Sequence, residues 1–128
     1  MKTVILDTDF LIHCASFKID YVEELKRILE SHKAFIIDKT IDELNSIIEK
    51  KKGKAKAAAK LAKAILKAKK IPKIKTKKDK IVDELILEKI RKDFIIATMD
   101  AELKRKLKKK GIPVVVIRQK KYLKLISY

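Results

Sequence analysis

Asp7 directly follows the apolar run Val4-Ile5-Leu6, and Asp100 follows Phe94-Ile95-Ile96-Ala97-Thr98 with only Met99 between. Two carboxylates therefore mark the exits of two expected buried strands, the place where open α/β sheets bind ligands. Glu43 and Asp83 stand at the starts of expected helices. Four such acids brought to one place would repel one another unless a cation held them together. Oxygen-only ligands favour Mg2+ or Mn2+ over Zn2+. Such ions can clamp phosphate oxygens, activate water and stabilise a leaving alkoxide. The chemistry indicated is metal-assisted attack on a polyanion, with no protein nucleophile required.

Each acid also has a purely structural reading. Asp7-Thr8-Asp9 leads from a strand into the apolar helix start Phe10-Leu11-Ile12, so Asp7 could serve as an N-cap. Two aspartates in three residues tilt the balance toward a cation site. Thr40-Ile41-Asp42-Glu43 matches the capping box, in which the fourth residue reaches back to the first residue's amide. Asp38 and Asp42 compete with Glu43 for the place beside Asp7. On a helical wheel Asp83 falls between Ile90 and Leu87 on the apolar side, with Glu84, Glu88 and Arg91 on the other. An inward-facing carboxylate is costly without a partner. Asp100 is a candidate cap for the helix beginning at Ala101, and Thr98 could hydrogen-bond a carboxylate.

The elements that must position these acids follow from periodicity. Short apolar runs at residues 3–6, 34–37, 94–97 and 114–117 read as buried parallel strands. Helical patterns occupy residues 21–31, 41–51, 54–69, 80–92 and 101–110, the last ended by Gly111 with Pro113 just beyond. Residues 71–76 break the helical pattern, and residues 122–128 alternate weakly, as an edge strand would. Strands alternating with helices indicate a helix-covered parallel sheet. At 128 residues the chain fits one domain spanning residues 1–128.

Hydrophobic residues make up 47% and charged residues 40%, which argues against disorder. Lys and Ile are abundant, as in many hyperthermophile proteins. The lone Cys14 has no internal disulfide partner, and the amino end does not read as a signal peptide, so a cytoplasmic protein is expected. No apolar run approaches the ~20 residues of a membrane span. His13 and Cys14 read as packing residues and His32 as a surface residue near a helix end.

The net charge of +17 is local: residues 50–80 hold 15 Lys and one acid, Asp79, and so carry +14 of it. Lys56, Lys60, Lys63, Lys67 and Lys70 recur at intervals of four and three, forming one helical stripe, with Ala58, Leu61, Ala62, Ile65 and Ala68 as the packing stripe. A merely solvated face would carry interspersed Glu. This helix has none, and its self-repulsion points to a phosphate backbone as counterion. No aromatic residue lies in the segment, so base stacking has little support. The apolar face is mostly Ala, which disfavours membrane insertion.

Asp7-Thr8-Asp9-Phe10-Leu11-Ile12, Glu43-Leu44, Asp83-Glu84-Leu85-Ile86-Leu87 and Ala97-Thr98-Met99-Asp100, in that order across nearly the whole chain, resemble a PIN-domain nuclease. The resemblance implies a three-layer α/β/α sandwich with a central, mainly parallel sheet. It also implies a Mg2+ or Mn2+ site built from Asp7, Glu43, Asp83 and Asp100. Members of the family are typically endoribonucleases directed at single-stranded RNA, either VapC-type toxins paired with an antitoxin or nucleases that process small-subunit ribosomal RNA precursors, and a homodimer is common. Asp9 departs from the family's usual Asn, and Met99 from a polar residue.

The reading is therefore a Mg/Mn-dependent endoribonuclease whose Lys stripe tethers RNA and whose product keeps a 5′-phosphate. The alternative is an RNA-binding module without metal chemistry. A third reading is a protein-interaction subunit in which the acids only cap helices.

Overall fold

A computed structural model describes residues 1–128. In chain order the elements are β1 (Lys2–Leu6), α1 (Thr8–Phe17), α2 (Tyr21–Ile28), β2 (His32–Ile37), α3 (Lys39–Lys50), α4 (Gly53–Ala68), β3 (Lys73–Ile74), α5 (Val82–Lys89), β4 (Phe94–Ala97), α6 (Ala101–Lys109), β5 (Val114–Arg118) and β6 (Tyr122–Ile126). The strands form one sheet in the order β3-β2-β1-β4-β5-β6. Every pairing is parallel except that of β5 with β6.

The alternating pleat explains why the inner strands read as unbroken apolar runs. Val4, Leu6, Ile36, Ile95 and Val115 enter one core, which they share with Phe10 of α1, Leu25 of α2, Leu44 of α3 and Leu66 of α4. Ile5, Ile37, Ile96, Val114 and Val116 enter a second core on the opposite face, closed by Leu85 of α5 and Leu103 and Leu107 of α6. The result is the three-layer α/β/α sandwich expected from the sequence. No helix is long and apolar enough to cross a membrane.

Several boundaries differ from the sequence reading. The helix expected over residues 80–92 is shorter, because the backbone is already extended at Ile90. The helix expected over residues 21–31 ends at Ile28, so His32 opens β2 instead of ending a helix. The break at residues 71–76 contains β3, and residues 122–126 form the edge strand β6. Gly111 ends α6 at φ +70, a conformation that glycine adopts without a Cβ penalty, with Ile112 N donating to Leu107 O across the turn.

The packing face of α4 is rotated from the expected one. Ala58, Ala59, Ala62 and Leu66 are buried, whereas Leu61 is 46% exposed and Ala68 faces out. The helix lies against both α1 and α3, and three alanines let those neighbours approach closely.

Candidate active site

The chain runs outward from β1 to β2 and β3, then returns to place β4 on the other side of β1. The switch point of the sheet therefore lies between the carboxyl ends of β1 and β4. Their register ends at Leu6 beside Ala97, so Asp7 and Thr98 leave the sheet as neighbours. Asp7 N donates to Ala97 O at 2.9 Å.

Asp7 is 2% exposed and caps α1, with Oδ1 accepting from Thr8 N at 2.9 Å. Its Oδ2 accepts from the Thr98 hydroxyl at 2.8 Å. Thr98 Oγ1 in turn accepts from Asp100 N at 3.1 Å, which links the two aspartates through one side chain. Asp100 caps α6, accepting from Leu103 N at 2.7 Å. The capping readings of Asp7 and Asp100 are thus true, and they orient the carboxylates without consuming every oxygen lone pair.

Glu43 does not form the expected capping box. Helix α3 begins two residues earlier than that box requires, because Asp38 supplies its cap by accepting from Lys39 N at 2.9 Å. Glu43 is left free to reach outward. Its Oε1 accepts from the Thr8 hydroxyl at 2.7 Å, and its Oε2 accepts from Val82 N at 3.3 Å. Thr8 Oγ1 also lies 3.1 Å from the Thr40 hydroxyl. Asp7, Thr8, Thr40 and Thr98 are the only buried polar or charged residues, and all four belong to this belt. From sequence alone Thr8 and Thr40 read only as turn and cap residues; the structure adds both to the belt. The available signal was a hydroxyl one residue after Asp7 and another three before Glu43.

Asp83 is half-buried in the first turn of α5, as its inward wheel position predicted. Burial pushes its carboxyl up to about 6, reinforced by the negative charges of Asp100, Asp9 and Glu43, while an interaction with Asp7 pulls part of the way back. Burial also pushes Asp7 up to about 7; the Thr98 hydroxyl opposes this, and the charges of Asp83 and Asp9 add to it. Asp83 therefore stands where the charges of Glu43, Asp100 and the exposed Asp9 reach it, and Asp7 feels Asp83 and Asp9. The two rivals fall away. Asp42 is exposed and paired with Lys78 at 3.3 Å. For Asp38, burial raises the carboxyl, but bonds from the Thr76 hydroxyl and amide and the Lys39 amide, with the Lys78 charge, bring it below its usual range.

None of the six ion pairs involves Asp7, Asp9, Glu43, Asp83 or Asp100, although the chain holds 34 Lys and Arg. Negative charge held at low solvent exposure without a cation is costly. The available donors are carboxylate and hydroxyl oxygens, the set that hard divalent ions prefer. The side chains stand as an open cluster, and no group of three Asp, Glu, His or Cys is gathered closely enough to hold an ion by itself. The fit to a divalent cation thus lies in donor chemistry and uncompensated charge.

The sequence matches the family described as PIN like domain over residues 4–120. The chain belongs to the PIN-like domain family. This PIN-like chain is 37% identical over 132 residues to Ribonuclease VapC4 of Methanocaldococcus jannaschii, with 99% of the chain and 98% of that relative covered. Its fold is similar to that of the PIN domain endonuclease Utp24, at a TM-score of 0.78 and 24% identity, covering 98% of this chain and 92% of that one.

The Lys stripe of this PIN-like chain lies elsewhere. Lys60, Lys63, Lys67 and Lys70 rim a groove of about 610 Å³ whose floor includes Ile36, Ile41 and Ile48. Lys56 is half-buried and does not line it. Lys63 Nζ donates to Asn45 at 2.7 Å. Asn45 and Glu43 lie about 200° apart around α3, so the groove and the acidic belt occupy opposite sides of that helix. Cys14 is a core residue whose thiol burial pushes up to about 12, and His13 Nδ1 sits 2.7 Å from Asp9 O. His32 Nδ1 lies 3.0 Å from Glu30 O.

Proposed function

We propose that this chain is an endoribonuclease that hydrolyses phosphodiester bonds of single-stranded RNA and depends on Mg2+ or Mn2+. The observation that carries this reading is a set of carboxylates at the sheet's switch point with no Lys or Arg partner. Asp7, Glu43, Asp83 and Asp100 would hold the ion, Thr98 orienting Asp7 and Thr8 orienting Glu43. When bound, the ion supplies charge neutralisation at the phosphate and lowers the pKa of the attacking water. The chain's own contribution is to mount the four carboxylates on strand ends and helix starts, where binding an ion would draw their open side chains together. Lys56, Lys60, Lys63, Lys67 and Lys70 neutralise phosphates away from the cut, and hydrolysis leaves a 5′-phosphate on the downstream product.

The likeness over nearly the full chain to a protein named as a VapC ribonuclease favours a toxin role over ribosomal-RNA processing. An antitoxin partner and a homodimer belong to that proposal. Mapping cuts on total cellular RNA separates the roles: cuts confined to ribosomal precursors would overturn the toxin assignment.

The deciding experiment incubates single-stranded RNA with the protein and Mg2+ or Mn2+, then repeats it with chelator and with Asp7→Asn. Loss of cleavage in both is expected, and cleavage indifferent to both rejects the site. The open arrangement of the carboxylates favours one second reading, an RNA-binding module without metal chemistry. That reading predicts salt-sensitive binding with no cutting by the wild type.

A further inference from the structure

A run of exposed lysines leaves the α4 groove along the edge of the sheet. Lys73 lines the groove together with Lys60, Lys63, Lys67 and Lys70. It opens β3, which lies at the edge of the sheet. From there exposure alternates, with Lys73, Lys75 and Lys77 exposed and Ile74 and Thr76 half-buried. The alternation leaves Lys73, Lys75 and Lys77 as the exposed members of this segment, and an extended chain spans about 7 Å between successive members. That separation is comparable to the distance between successive phosphates of an extended single strand.

The inward residues fasten this row to the carboxyl edge of the sheet. Thr76 N donates to Asp38 Oδ2 at 2.9 Å and its hydroxyl donates to Asp38 Oδ1 at 2.6 Å. The same hydroxyl accepts from Lys78 N at 3.1 Å, and Lys39 Nζ donates to Lys78 O at 3.1 Å. Farther along, Val82 N is held by Glu43. The chain between Thr76 and Val82 is therefore pinned at both ends by acids at strand and helix ends, one of them in the belt itself. Lys78 pairs with Asp42 and Lys80 with Glu88. Lys73, Lys75 and Lys77 enter no ion pair.

We propose that Lys73, Lys75 and Lys77 form a backbone track that carries a single RNA strand from the α4 groove past the edge of the sheet to the acidic belt. Asp38 is the positioning residue that holds the track through Thr76. The destination of the track rests on the ribonuclease reading, while the track itself rests on the lysine row. Lysines on an edge strand also discourage pairing with another chain. A strand of two residues, continued by two more exposed lysines and abutting four others, exceeds what that protection requires.

The test measures binding of a labelled single-stranded RNA to the full chain in EDTA, across a salt series. Lys75→Gln with Lys77→Gln should lower the slope of log affinity against log salt by about 1.4, because each phosphate contact on a single strand contributes about 0.7. Thermal melting should be unchanged. Thr76→Val should weaken RNA binding without removing charge, and trypsin should cut after Lys77 and Lys78 faster than in wild type. An unchanged salt slope, or self-association of the lysine variant with wild-type RNA affinity, would overturn the track. Trypsin sensitivity in Thr76→Val with unaltered RNA binding would overturn the role of Asp38. Wild type that binds RNA with the expected slope but never cuts it would sink the ribonuclease reading and leave the track standing.

Discussion

Glu43 reaches out of α3 to accept the Val82 amide at 3.3 Å, capping a helix to which it does not belong. The residue at the N-cap of α5 is Ile81, which has no side-chain acceptor. One carboxylate thereby joins the start of the helix that carries Asp83 to the Thr8 hydroxyl beside Asp7.

Replacing Glu43 should consequently separate stability from chemistry. Glu43→Gln keeps an oxygen to accept from Val82 N and an amide nitrogen that can donate to the Thr8 hydroxyl, whereas Glu43→Ala removes both bonds and should cost about 1 kcal/mol. Urea unfolding in EDTA should rank wild type and Gln together above Ala, while RNA cleavage falls steeply in both variants. Equal stability of all three would mean that the tie contributes nothing.

How much of this was readable in advance depended on how local the cause was. Val4-Ile5-Leu6 and Phe94 to Ala97 are apolar because both faces of their strands are buried, so the strand ends, and Asp7 and Asp100 with them, could be placed from sequence. Strand β3 could not, because its pairing is set by Pro72 O and Ile74 O accepting from Ile36 N and Asp38 N, partners far away in the chain. The same holds for Glu43: its local capping pattern was outcompeted when Thr76, 38 residues along the chain, helped fix Asp38 as the cap. The buried face of α4 is rotated from its sequence pattern, since contact with both α1 and α3 selects small residues over Leu61.

The raised carboxyls make the metal-free protein sensitive to pH. Asp7 at about 7 and Asp83 at about 6 bind protons more tightly folded than unfolded, where each titrates near 3.8. Their contribution to stability is fully present below about 4 and is lost as the pH rises through about 6 and then about 7. Asp38, held below its usual range, works in the opposite sense and loses its contribution on strong acidification. Stability in EDTA should therefore rise from pH 8 to pH 5, by on the order of 3 kcal/mol from the almost fully buried Asp7. Urea unfolding midpoints would report this, and Asp7→Asn should flatten the rise. A flat wild-type profile would contradict it.

A divalent ion should reverse that penalty at high pH. With Mg2+ or Mn2+ at 100 times its dissociation constant, the folded state should gain about 2.7 kcal/mol. Differential scanning fluorimetry at pH 8, against a salt control of equal ionic strength, should show a melting increase for wild type. Asp7→Asn and Asp83→Asn should lose it. A wild-type melting point indifferent to both ions would remove the basis for a cation site.

Thr98 is the position where removal of one hydroxyl should disturb two acids together. Its Oγ1 donates to Asp7 at 2.8 Å and accepts from Asp100 N at 3.1 Å, and the residue is fully buried. Thr98→Val preserves shape but leaves an amide and a carboxylate oxygen without that partner, at a cost of about 1–3 kcal/mol. The Thr98 bond is the foremost influence holding the Asp7 carboxyl down, so its loss should move the pH dependence of stability to higher pH. Thr98→Ser restores the hydroxyl and should recover both stability and profile. If Val and Ser behave alike, the hydroxyl is a bystander and the orientation of Asp7 comes from its cap on α1 alone.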